Sequence, residues 1–371
     1  MSRIEGSRTK AAVGIRNRTL DTVRFVLIAA VMLYHYTVRW RPPNNDVDLY
    51  KYFSLYSDYL EICAYGVRIF FMISGFFIAS ALTKYYDGTL FMYNRLRRIY
   101  PAFLVCCTLT FALVAVMPAE FEVGLLDYIF SLGFIAGNVG AHFVDGAYWS
   151  LAVEIKFYLF AYLSFAAMKS RYWIGLIALS LLGAIVGTFA PKIAKEILLG
   201  PYMPMFLAGI GLYYHATVRR RDIAFSLYAT CIALLVVHID FFTLHGVPSR
   251  LVVLCVAAAM VLIVALVCSG ADFAFGPTAY LGVISYEIYL LHQKIGVTII
   301  ASARRDLGLS DVGAMLLAAL SIIALSMLVH QVLQNPIRSA MDWAWARGRA
   351  RLDRRAGTGT SSSVVRATGP G

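Results

Sequence analysis

Apolar runs of about 20 residues recur along this chain from Leu20 to Val332, each separated from the next by a short polar segment. A helical crossing of the hydrocarbon layer takes roughly 20 mostly apolar residues, so this pattern restricts the fold more than any other feature. The runs fall at 20–38, 59–82, 99–117, 147–168, 172–190, 201–216, 223–239, 251–268, 280–300 and 312–333. They predict an all-α, polytopic membrane bundle of about ten transmembrane helices. Composition agrees: 60% of residues are hydrophobic, 15% are charged, and the mean hydropathy is +0.70. A soluble domain has no interior large enough for that surplus.

The distribution of basic residues sets the orientation. With the N-terminus inside, the inner segments hold 21 Lys and Arg, the outer segments 8, and the spans 4. By the positive-inside rule this places both termini in the cytoplasm. It also accounts for the net charge of +12 without a nucleic-acid partner. The first apolar run follows a basic stretch with no short leader-like core, so it is expected to be retained rather than cleaved. Three regions follow: a basic N-terminal tail (1–19), a membrane domain (20–338) and a basic cytoplasmic tail (339–371) expected to lack structure. Leu125–Ile135, in the longest outer loop, reads as an amphipathic piece that lies in the interface or dips into the membrane. The six cysteines lie in or beside apolar runs, where they read as small hydrophobes rather than disulfide or metal partners.

Charged groups inside the runs carry the functional signal, because a charge at depth costs at least about 2.5–3.5 kcal/mol. Arg24 and His35 are eleven residues apart. On a helix this separation is three turns plus about 20°, which puts both on one stripe about 16 Å long. Each also has a bland reading: Arg24 snorkelling to the inner interface, His35 bonded within the bundle. Glu61 with Arg68, and Glu287 with Lys294, are spaced as ordinary ion pairs within one helix face. Arg95 and Arg98 share a face at an inner end. Such a pair suits a phosphate, and also an anionic lipid headgroup. Glu154 lies one turn into a span behind Tyr148, Trp149 and Ser150, where Tyr148 and Trp149 are placed like an outer aromatic belt. His292 is read as a hydrogen-bonding group between helices.

Six segments, in order, resemble the acyltransferase 3 family of bacterial membrane acyltransferases. They are Arg24 with His35; Gly66-Val67-Arg68 continuing to Ser74-Gly75-Phe76; Arg95 and Arg98 before Ile99-Tyr100-Pro101; Trp149-Ser150-Leu151 with Glu154; Met203-Pro204-Met205-Phe206 with Gly209; and Leu281-Gly282 through Ser285-Tyr286 to His292. The likeness runs from about Leu20 to Arg338. It departs at Gln334, where relatives often carry a Glu two residues before the proline. The resemblance implies a multi-pass protein of the bacterial inner membrane. It implies an O-acyltransferase, most often an O-acetyltransferase, acting on a carbohydrate or glycolipid at the periplasmic side. The donor would be cytoplasmic acetyl-CoA or another acyl-CoA, used as a substrate, with no permanently bound cofactor and no metal. Carried over residue by residue, it makes His35, Arg24 and Glu154 catalytic. It assigns Arg24, Arg95 and Arg98 to acyl-CoA and Tyr148, Trp149 and Ser150 to the acceptor side. In that picture Glu154 either orients His35 or contacts the acceptor, and His35 acts as a general base or as an acyl relay. A transporter or flippase for a lipid-linked sugar is the competing class. Ten spans and buried charges fit it too, but no internal repeat supports it.

Overall fold

The computed structural model describes residues 18–39, 60–84, 87–116, 123–244, 247–270 and 276–355. The expected basic N-terminal tail lies almost wholly outside these residues. Among the described residues the chain is helical, and an isolated bridge between Leu244 and Val247 is the one β interaction.

Fifteen α-helices are named here in chain order. They are α1 (Arg18–Tyr34), α2 (Gly66–Lys84), α3 (Gly88–Val116), α4 (Leu125–Leu132), α5 (Trp149–Met168), α6 (Tyr172–Phe189), α7 (Pro191–Glu196) and α8 (Met203–Tyr213). They continue as α9 (Arg221–Val237), α10 (Ser249–Cys268), α11 (Gly276–Val283), α12 (Ser285–Leu291), α13 (Lys294–Leu307), α14 (Asp311–Leu328) and α15 (Asn335–Arg355). Among the described residues, six stretches are long and apolar enough to cross a membrane: Arg18–Arg39, Glu61–Lys84, Gly88–Val116, Gly146–Phe189, Ser249–Cys268 and Asp311–Arg351. The stretch Gly146–Phe189 contains a hairpin. Lys169 turns back at φ +50°, and Phe165 on α5 then meets Tyr172 on α6. Helices occupy the other expected positions as well, though they are shorter or broken. The protein is a multi-pass membrane protein. Large apolar side chains face outward, with Phe225 74% and Val261 68% exposed, and hydrocarbon is the solvent that tolerates them in such number.

The centre of the bundle is α8, in which every residue is buried. It lies backbone to backbone against α2. A Cβ on Gly75 would collide with the Phe206 carbonyl, and one on Gly209 would collide with the Met72 carbonyl. With no hydrophobic drive between helices in lipid, close contact through small residues is what holds such a pair. Gly75 thus packs on the Phe206 backbone and Gly209 on the backbone of Met72 and Phe76. A second close approach seats α11 on the start of α1, where Gly282 meets the Asp21 carbonyl.

The structure revises four expectations. The ninth run (280–300) is three helices rather than one, broken at Ile284 and at His292–Gln293. The tail expected to lack structure continues as α15 to Arg355. It is fixed to α3 by Arg97–Asp342 (2.5 Å) and Trp345 stacked on Tyr93 (4.2 Å), and to the residue just before α3 by Arg349–Asp87 (2.7 Å). Its final residues, 356–371, lie outside the described residues. The two ion pairs do not form as expected. Arg68 donates to the Phe241 carbonyl (3.2 Å) and lies over the rings of Tyr65, Phe241 and Phe242. The reason is local: Glu61–Tyr65 is a 3₁₀ turn, and its extra ~20° per residue swings Glu61 off the face of Arg68. Glu287 pairs with His330 (2.7 Å), because the break at His292–Gln293 carries Lys294 into another helix. Finally, Tyr148 is fully buried and is no part of a surface aromatic belt.

Candidate active site

The stripe on α1 and the broken run meet at two histidines. Beyond Tyr34, α1 continues as a single π turn, His35–Arg39. The Nδ1 atom of His35 lies 2.8 Å from Nε2 of His292, with the two rings nearly parallel. Nδ1 of His292 is 2.7 Å from the carbonyl oxygen of Tyr289. A carbonyl only accepts, so His292 must carry its proton on Nδ1 and present a lone pair at Nε2. His35 must then donate from its own Nδ1. In the neutral pair the lone pair of His35 sits on Nε2, which bonds to no other protein group among the described residues. His292 is fully buried, whereas His35 is partly exposed. The buried partner thus fixes the tautomer of His35 and leaves it a lone pair that can accept a proton.

The helix break makes this possible. A continuous helix would use the carbonyls of Tyr289, Leu290 and His292 to accept from residues four further on. The break at His292–Gln293 releases all three. Tyr289 O receives His292 Nδ1, Leu290 O receives the Tyr148 hydroxyl (3.2 Å), and His292 O receives the Tyr36 hydroxyl (3.0 Å). The freed Lys294 N–H donates to Asp145 (2.8 Å), whose other carboxylate oxygen takes Ala147 N–H (2.8 Å). Asp145 thus ties the start of α13 to the turn before α5. Burial pushes its carboxyl up to about 6, against the downward pull of the two N–H donors.

A cavity of about 90 Å³ opens beside Arg24 of the α1 stripe. Arg24, Ser74, Arg95, Arg98, Glu154 and Tyr158 line it, together with Tyr289. The Ser74 hydroxyl and the Tyr158 hydroxyl (2.6 Å) both donate to Oε1 of Glu154. Three guanidinium groups against one carboxylate leave the cavity with an excess of positive charge. Arg24 forms no hydrogen bond or ion pair with the described residues, so its donors remain available to a ligand. Arg97, between the two cavity arginines in sequence, points the other way to Asp342. Tyr289 joins the two parts: its side chain lines the cavity and its carbonyl holds His292.

A profile of the acyltransferase domain matches residues 17–331, most of the chain. The chain belongs to the acyltransferase 3 family. O-acetyltransferase OatA of Staphylococcus aureus strain NCTC 8325 is 30% identical over 159 residues, covering 38% of this chain and 23% of that protein. A putative O-acetyltransferase of S. aureus strain COL is 26% identical over 181 residues, or 43% of this chain and 27% of the relative. The matches thus span about a quarter of the length of these curated relatives. No solved structure matches.

In this acyltransferase 3 protein, Arg24, Arg95, Arg98 and Glu154, proposed from the sequence, share one cavity. His35 does not bond to Glu154; the ring that orients it belongs to His292. Tyr148 and Ser150 are buried with their hydroxyls bonded inside the bundle, Ser150 to Tyr289 OH (2.8 Å) and Ala147 O (3.2 Å). Trp149 packs on Phe71 and Tyr202. The role of His292 was not legible from its spacing, since it is 257 residues from His35. The sequence marked His292 as a hydrogen-bonding group between helices and as the end of a family-like segment; the bond forms, and its partner is His35.

Proposed function

We propose that this protein is a membrane O-acetyltransferase. It takes an acetyl group from cytoplasmic acetyl-CoA and places it on a hydroxyl of a glycan or glycolipid at the periplasmic face of a bacterial inner membrane. The chain crosses ten times in this reading, with both termini in the cytoplasm. One observation carries it: the His35–His292–Tyr289 arrangement leaves a single bare ring nitrogen, Nε2 of His35, at the outer end of a stripe whose inner end is Arg24. Family membership and the names of the relatives support the same chemistry.

The roles follow from charge and proton inventory. Arg24, Arg95 and Arg98 bind the phosphates of coenzyme A, for which guanidinium pairs suit bidentate contact. Glu154 fixes the hydroxyls of Ser74 and Tyr158 and offsets part of the positive charge. Nε2 of His35 takes the proton of the acceptor hydroxyl as its oxygen attacks the thioester carbonyl. The carbon–sulfur bond then breaks, and the thiolate recovers the proton from the imidazolium. His292 accepts from Nδ1 throughout and needs no charge of its own.

The decisive experiment compares envelope glycans and glycolipids, by mass spectrometry, from cells carrying the wild-type gene, no gene, or His35→Ala. Acetylated species should appear with the wild type alone, while His35→Ala protein reaches the membrane in normal amount. Full acetylation by His35→Ala would remove the reading.

A further inference from the structure

A second cavity, about 290 Å³, lies on the lipid-facing side between α1 and α14. Phe25, Met32 and Tyr36 of α1 and Met315 and Ala319 of α14 form its walls, and the buried Ile288 of α12 lines it too. Tyr36 is the only one of its described lining side chains with an oxygen or nitrogen, and that hydroxyl is already bonded to the His292 carbonyl at 3.0 Å. The groove therefore has nothing to offer a polar group, and its occupant is hydrocarbon.

Its position selects which hydrocarbon. From Phe25 to Tyr36 the groove follows α1 for about 16 Å. It runs beside the Arg24–His35 stripe, turned by one residue, or about 100°. Arg24 of α1 thus lines the cavity, while the side of α1 turned by one residue faces the groove. The groove ends at Tyr36, the chain neighbour of His35, and both residues bond to His292. The proposed acyl group is acetyl, whose single methyl has no use for a channel of this length. We infer that the groove holds the lipid chain of a membrane-anchored acceptor, with its polar head at the outer end so that a hydroxyl is presented to His35. This assignment rests on the reading of His35 as the base.

The test uses the full chain in nanodiscs of phosphatidylcholine and phosphatidylglycerol. The probe is dodecyl β-glucoside with a diazirine midway along its chain; a phosphatidylcholine with the same diazirine reports bulk lipid. After illumination, the glucoside should label α1 and α14 around Met32 and Met315 in preference to the outer face of α10. Ala319→Trp fills the groove, and losing contact with two methylenes should lower that labelling at least about tenfold. Ala29→Trp, from the same lining, serves if the first variant fails to fold. Labelling spread equally over α1, α10 and α14, or unaffected by either Trp, would mean that bulk lipid alone fills the groove and would overturn the assignment. His35→Ala separates the two ideas: it should retain the labelling and lose acetyl transfer. If it kept transfer, the catalytic reading would fall, while the labelling would still decide what occupies the groove.

Discussion

His292 accepts a hydrogen bond from Nδ1 of His35 because its own Nδ1–H is occupied by the Tyr289 carbonyl. In the proposed reaction this directional chain gives the second histidine a positioning role. His292→Phe can neither accept nor donate. It should lower kcat by about 10²–10⁴-fold, the usual range for an impaired general base, with the KM for acetyl-CoA unchanged. His292→Gln, whose amide oxygen can still accept, should recover part of the loss. Steady-state kinetics on the reconstituted protein separate the two parameters, and a rise in KM without a fall in kcat would contradict this role.

Arg24 should behave in the opposite way. Removing one charge-assisted contact to a phosphate weakens binding by about 10–100-fold. Arg24→Ala should therefore raise the dissociation constant of acetyl-CoA by that factor, read by calorimetry in detergent. An unchanged affinity would take Arg24 out of the donor site. Lys restores the charge but not the fork, so Arg24→Lys should be intermediate.

The α2–α8 contact predicts a sharp contrast between glycines. A Cβ at Gly209 would strike the Met72 carbonyl, and a backbone atom has no rotamer into which to retreat. Gly209→Ala should destabilise the bundle by about 1–3 kcal/mol, the range for overpacking. Gly276, at the start of α11, has nothing within 4 Å of a built Cβ, so Gly276→Ala should stay within about 0.5 kcal/mol. Thermal unfolding in one detergent compares the two.

Asp145 gives a pH signature. Its carboxyl is raised from the ordinary 3.8 to about 6 by burial. A group raised in the folded state contributes stability that is full below its unfolded value and lost as the pH climbs through its folded one. Stability should therefore fall between about pH 4 and pH 6, and Asp145→Asn should flatten that window. Melting temperatures across the range, for both proteins, provide the check. Equal slopes would exclude Asp145 as the source.

The sequence disclosed some of this and concealed the rest for identifiable reasons. Hydrocarbon demands long apolar helices, so the spans around α1, α2, α3 and α10 were visible as runs. A helical stripe is a matter of counting, so Arg24 and His35 could be set on one face, and the Arg95 and Arg98 spacing put both on the cavity side. The break at His292–Gln293 was hidden because neither proline nor glycine marks it; the Tyr148 and Tyr36 hydroxyls and the Asp145 carboxylate, all from other elements, stabilise it instead. With the break unseen, Glu287 and Lys294 looked like partners, and the second histidine could be read as an interhelical hydrogen-bonding group but not matched to His35. The apolar spacing that revealed α1 also could not say which side faces lipid, so the groove beside Tyr36 had no signature.

The same break has a consequence for how this protein can vary. Three acceptors around the dyad, the oxygens of Tyr289, Leu290 and His292, are peptide carbonyls, and every amino acid carries one. Side-chain replacement at Leu290 leaves its oxygen in place, so alanine scanning would score that position as unimportant. Sequence drift would pass over it for the same reason. The interaction becomes measurable only by editing the main chain, by replacing the peptide link with an ester that weakens the acceptor. Part of this site is thus encoded in a bend, and a bend can outlast the residues that first formed it.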